Sequence, residues 1–224
     1  MGGRADAAMM IGINFVGNAA RSLSEMDPSE VAGVEPQAHW NNAVGDCKSL
    51  AGLVDEQGVP TGVSITWWSK GTYNAAIVNG PGDKRLMRGY ITLLGTAPPE
   101  APTVTVEGLA AVFPHGYEVL VYFDGYNESV AWGIDYHLGG AVRTGTDPAG
   151  TNFSGAFVED TGSGGNYLRF GPFADNWFTL TAVPQTGTTS AAINAIQILH
   201  VPEPASAMLL VAGLGLLMRL RRRL

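Results

Sequence analysis

The chain has 224 residues, of which 46% are hydrophobic and 15% charged, with 30 Gly, 13 Pro and a formal net charge of −7. That balance argues against a disordered or coiled-coil chain, and the length favours one turn-rich domain over two well-buried cores. Arg219, Arg221, Arg222 and Arg223 are four of the 13 basic residues, and without them 9 remain against 20 acidic ones, a net −11, which argues against nucleic acid as a partner because affinity for phosphate backbones rests on Lys and Arg clusters.

At the N-terminus, residues 1–12 contain one Arg and only 7–11 as an apolar run, too short for the hydrophobic region of a signal peptide. Ala5-Asp6-Ala7 nevertheless has the form of a cleavage site directly before the first strand. Residues 1–8 are therefore read as the remnant of a signal peptide or the region after one, with the true start in a longer reading frame.

Residues 9–200 show strand-length runs rich in β-branched and aromatic residues at 11–16, 62–69, 86–94, 103–107, 117–124, 131–138, 166–170, 177–183 and 192–200. Turn chemistry separates them at Pro81-Gly82-Asp83, Pro98-Pro99, Pro114-His115-Gly116 and Gly162-Ser163-Gly164-Gly165. About nine strands and little helix predict an all-β sandwich. Residues 36–59 are harder to read, and a short helix over 47–55 is one option. The alternation in 192–199 changes phase near Ala195-Ile196, which predicts a bulge or a strand buried on both faces. Cys47 is the single cysteine, so no internal disulfide forms, and a buried structural thiol is expected.

The chain closes on Val201-Pro202-Glu203-Pro204, an apolar run over 205–218, and then the Arg cluster. Pro-Glu-Pro interrupts regular structure, the 14 apolar residues reach only about 21 Å as a helix, and the Arg residues hold the cytoplasmic side. A hydrocarbon core of roughly 30 Å makes this a marginal, transient span; a plain tail anchor is the alternative.

This three-part tail resembles the PEP-CTERM sorting signal, with Pro202, Glu203 and Pro204 as processing motif, a transmembrane helix, and Arg219, Arg221, Arg222 and Arg223 as membrane stop. The resemblance implies export, an exosortase-type processing enzyme as partner, transient contact with the inner membrane, and a final place at the cell surface or outside the cell. Ile13-Asn14-Phe15-Val16-Gly17, Trp40-Asn41-Asn42, Tyr122-Phe123-Asp124-Gly125 and Thr151-Asn152-Phe153-Ser154-Gly155 also resemble exported PEP-CTERM proteins of environmental bacteria. That implies a jelly-roll sandwich like galactose-binding domains, with 201–224 as sorting signal.

Chemistry is dispersed. His39, His115, His137 and His200 lack zinc-ligand spacing, and the chain has no phosphate loop or G-x-S-x-G elbow. No catalytic residues are assigned. Glu159-Asp160 with Asp124, Asp135 or Asp175 offers carboxylate pairs for the alternative reading, a polysaccharide-active enzyme. Asp124, Asn127 and Glu128 cluster oxygen ligands in a turn and are candidate calcium ligands, the competing reading being an Asx-turn. No other cofactor is expected. Trp40, Trp68, Trp132 and Tyr136 are candidate sugar-stacking residues, against core packing as the default; of the adjacent Trp67 and Trp68, one should face the core and the other solvent. The favoured function is a non-catalytic surface or extracellular-matrix module that binds polysaccharide.

Overall fold

The computed structural model describes residues 9–17, 24–93, 101–188 and 190–202. Its strands are β1 (Met10–Val16), β2 (Asn41–Val44), β3 (Cys47–Ala51), β4 (Ser64–Trp68), β5 (Gly71–Asn74), β6 (Gly89–Thr92), β7 (Thr103–Glu107), β8 (Tyr117–Tyr122), β9 (Trp132–Leu138), β10 (Ala141–Asp147), β11 (Tyr167–Phe173), β12 (Trp177–Pro184), β13 (Ala192–Ile193) and β14 (Ala195–His200), with one helical turn, α1 (Asp83–Leu86). The all-β, sandwich-like expectation is met. The strand number is not: fourteen strands replace the expected nine among the described residues.

A six-stranded sheet in the order β10-β9-β12-β7-β4-β3 packs on a five-stranded sheet in the order β11-β8-β14-β1-β2, and β13-β6-β5 form a third. Val104, Val106, Ile134, Tyr136, Phe178 and Leu180 of the first meet Ile13, Val119, Val121, Ile196 and Ile198 of the second in the main core. Thr179 and Thr181 alternate with these buried residues on β12, as a sheet with one wetted face requires. The five-stranded sheet differs. Its other face carries Leu120, Tyr122, Ala195 and Leu199 into a second core with Trp40, Leu86, Met87 and Tyr90, so β8 and β14 are buried on both sides.

Double burial accounts for the altered phase at Ala195-Ile196, and a further change sits one residue earlier. At Asn194 the chain passes from β13, paired with β6, to β14, paired with β1 and β8. Asn194 is fully buried. Its Oδ1 accepts from the Asp124 N–H at 2.6 Å, and its Nδ2 donates to the carbonyls of Met87 at 2.7 Å and Asp124 at 2.9 Å.

Three other local expectations are corrected. The run 86–94 begins with the last residue of α1, and its strand is β6 alone; Leu94 lies outside the described residues. Instead of a short helix, residues 47–51 form edge strand β3, paired with β4 from Cys47↔Trp68 to Ala51↔Ser64. Its side chains are mostly exposed, so no apolar period marked it. Cys47 is exposed rather than buried, because an edge strand leaves its outer face to solvent. One equivalent of a maleimide should therefore label the folded protein in native buffer, as read by mass spectrometry; labelling only in denaturant would contradict this placement.

β14 also sets the poles of the sandwich. Asn194 lies at one end beside Asp124, while His200 lies at the other, paired with Tyr117 and bonded to the Met9 carbonyl. The six residues of β14 span about 20 Å. Residues 1–8 and 203–224, which hold the expected cleavage site, apolar helix, Glu203, Pro204 and the Arg cluster, lie outside the described residues; Pro202 is exposed just after β14. No helix among the described residues is long and apolar enough to cross a membrane.

Candidate functional site

At the Asn194 pole, β8 runs out through Phe123 into Asp124 and β10 ends at Asp147. The Gly125 N–H donates to Asp147 Oδ2 at 2.9 Å, which ties the loop after Asp124 to Asp147 closely enough for the Asp147 charge to act on Asp124. A side chain on Gly125 would collide with the Trp132 ring, whose nearest atom lies 2.0 Å from where a Cβ would stand. Only a glycine lets the loop approach this closely. Asn127 ties the loop down, donating from Nδ2 to the carbonyls of Asp147 at 2.9 Å and Pro148 at 3.2 Å.

Both acids are nearly inaccessible, Asp124 at 3% and Asp147 at 4% exposure. Neither forms an ion pair with Lys or Arg among the described residues. The Phe153 N–H donates to Asp124 Oδ2, while Asp124 Oδ1 has no partner among the described residues. Burial pushes the Asp124 carboxyl up to about 8, reinforced by the charge of Asp147 and opposed by the Phe153 N–H. Burial likewise pushes Asp147 up to about 7, with hydrogen bonds from Gly125 and Asn127 pulling the other way.

The acids form part of the lining of a cavity of about 210 Å³ whose exposed side carries Thr151, Asn152 and Ser154. A second cavity of about 170 Å³ is lined by Tyr126, Asn127, Glu128 and again Asn152. Asn152 is thus common to both. Tyr126 is 47% exposed, its backbone N–H donates to the Tyr90 hydroxyl at 3.1 Å, and its own hydroxyl bonds to the Glu128 carboxylate. An anchored backbone, an outward aromatic face and neighbouring amide and hydroxyl groups suit a polyhydroxylated ligand.

The residues expected to stack on a sugar are distributed otherwise. Trp40 is buried, its Nε1 donating to the Gln37 carbonyl at 3.1 Å, and Tyr136 is fully buried, its hydroxyl donating to the Ala192 carbonyl at 2.7 Å. Burial removes both as external platforms. Trp68 is half-buried on β4, four strands from β10 in the sheet order, about 19 Å away, while its neighbour Trp67 is buried in the core. Trp132 is half-buried beneath Gly125 and supports the loop.

Of the expected calcium ligands, Asp124 is buried, Asn127 donates its Nδ2 to carbonyls, and Glu128 is exposed beside Tyr126. Among the described residues no group of three or more His, Cys, Asp and Glu side chains converges. The acids of the expected carboxylate pairs each have partners of their own. Asp160 organises its own loop, accepting from the N–H groups of Thr146, Gly162 and Gly164; Glu159 lies 3.9 Å from Arg143; Asp135 accepts from Thr144 and Gln185; and Asp175 stands near Tyr117 at the far pole. The partner that Asp124 has, Asp147, escaped notice because β10 is largely exposed and offered no apolar run.

No family model matches this chain, and no curated protein matches it. Among solved structures it is similar to Bacteroides uniformis beta-glucuronidase 2 covalently bound to cyclophellitol-6-carboxylate aziridine, at a TM-score of 0.38 and 9% identity. The match covers 77% of this chain and 22% of that one. Nothing about activity is carried over at that level of likeness.

Proposed function

We propose that this protein is an exported, non-catalytic surface or extracellular-matrix module that binds polysaccharide through the paired cavities at the Asn194 pole. The sandwich is read as jelly-roll-like, of the galactose-binding kind, and the tail as a signal processed by an exosortase-type membrane enzyme. One observation carries the reading. The cavities, with Tyr126 at their edge, lie at the pole opposite the one where β14 ends at His200 and continues into the Pro-Glu-Pro segment. A domain held at a membrane or matrix by that tail would turn its cavities outward.

Retention of the full chain on a panel of insoluble and immobilised polysaccharides, with product analysis of each, tests the proposal. Retention without release of sugars is expected, and Tyr126→Ala and Asn152→Ala should each weaken it by about tenfold or more, the usual loss when an aromatic or hydrogen-bonding anchor goes. Release of oligosaccharides would establish the polysaccharide-active enzyme instead, and failure of every polysaccharide to retain the chain would overturn the binding role.

A further inference from the structure

We propose that Asp124 and Asp147 bind one calcium ion at the wall of the larger cavity. The inference goes beyond polysaccharide binding and does not depend on it. Two carboxylates at 3% and 4% exposure, with no Lys or Arg paired to either among the described residues, form a buried arrangement that repels itself. Hydrogen bonds answer only part of that demand. Each acid receives a backbone N–H, from Phe153 and Gly125 respectively, yet Asp124 Oδ1 is buried and unpartnered in a residue that lines the cavity. An unpaired buried carboxylate oxygen is costly, and a cation removes the cost.

The surroundings suit a hard cation over a soft one. Thr151, Asn152 and Ser154 place hydroxyl and amide oxygens at the cavity's outer side, and none of the lining residues is His or Cys. Calcium takes six to eight oxygens at about 2.3 to 2.6 Å in flexible geometry and accepts water among them, whereas magnesium demands a near-ideal octahedron. A cavity of about 210 Å³ has room for one ion and several waters of roughly 30 Å³ each. The fixed framework is already present, because Asn194 holds the Asp124 backbone and Asn127 holds that of Asp147.

The test is calorimetric titration of calcium chloride into chelator-treated full-length protein, with magnesium chloride in parallel and thermal unfolding alongside. One calcium per chain is expected, with magnesium weaker by about tenfold or more, and a Tm rise of roughly 5 to 10 °C when calcium exceeds its Kd a hundredfold. Asp147→Asn, a near-isosteric change, should abolish the heat and the Tm rise while the circular dichroism spectrum stays native. Glu128→Gln should leave both intact. No calcium heat and no Tm rise at millimolar calcium would overturn the site, as would undiminished binding in a folded Asp147→Asn protein. Because no sugar enters this experiment, its failure leaves the polysaccharide reading standing, and the reverse also holds.

Discussion

Replacing Asn194 with alanine is expected to lower Tm by about 10 °C or more, through a loss of roughly 3 to 6 kcal/mol. The side chain is fully buried and satisfies three backbone groups, namely the Asp124 N–H, the Asp124 carbonyl and the Met87 carbonyl. Alanine can satisfy none of them, and each orphaned buried group costs about 1 to 3 kcal/mol. The three bonds also join distant parts of the chain: α1's C-terminal flank, the end of β8 and the passage from β13 to β14. Asp124 would lose its backbone anchor, so calcium binding should weaken along with stability. Thermal unfolding by circular dichroism checks the first effect, and a fall of less than about 2 °C would show that water or a backbone shift replaces the amide.

Metal-free protein is expected to lose stability as pH rises from 5 to 8.5. Asp124 titrates near 8 and Asp147 near 7 in the folded state, both above the 3.8 of an exposed Asp. Over the intervening range the folded chain holds protons that the unfolded chain has released. The stabilisation is thus fully present below about pH 4 and disappears as pH climbs through 7 and 8. Tyr90 and Tyr136 stay neutral there, their hydroxyls held above their ordinary range by burial, and Asp160 adds a further acid near Tyr136. Asp83 is also raised by burial and has the same sign. A fall of roughly 5 to 10 °C in Tm between pH 5 and 8.5 is expected, after discounting for relaxation and water entry. Asp147→Asn should reduce this slope without removing it, because burial still raises Asp124 when the Asp147 charge is gone. Restoring calcium at pH 8.5 should recover the wild-type Tm and leave that of Asp147→Asn unchanged. A wild-type Tm that is flat or rises over this interval would contradict the buried environment of the two acids.

What the sequence disclosed depended on the kind of burial. Strands with one buried face, such as β7 with Val104 and Val106 inward, carry a period of two that can be read without coordinates. The doubly buried β8 and β14 still stood out as apolar runs, and the phase change near Ala195-Ile196 matched the double burial of β14, whereas the passage between sheets at Asn194 and the hydrogen bonds that fix it gave no signal. Edge strands with exposed side chains were silent. β3 and β10 expose most of their side chains, so neither Cys47 nor Asp147 could be placed.

The candidate site was half legible for the same reason. Asp124 attracted attention as an acid following an apolar strand, yet its partner comes from 23 positions later on a different sheet, a contact that composition and spacing do not encode. Aromatic content identified rings without their exposure. Trp40 and Tyr136 fill the two cores, whereas Tyr126, within a turn read for its oxygen ligands, presents the accessible ring beside the cavities.

The location of the binding face is tested most directly by comparing two exposed aromatics at opposite poles, Tyr126 at 47% and Trp177 at 57% exposure. Trp177 begins β12, whose other end reaches Ile134 near the cavities, so the two residues probe different ends of the same sandwich. Equilibrium binding of a retained polysaccharide should weaken about tenfold or more in Tyr126→Ala and stay unchanged in Trp177→Ala. Loss of binding in Trp177→Ala with full binding in Tyr126→Ala would place recognition at the tail-bearing pole and contradict the account.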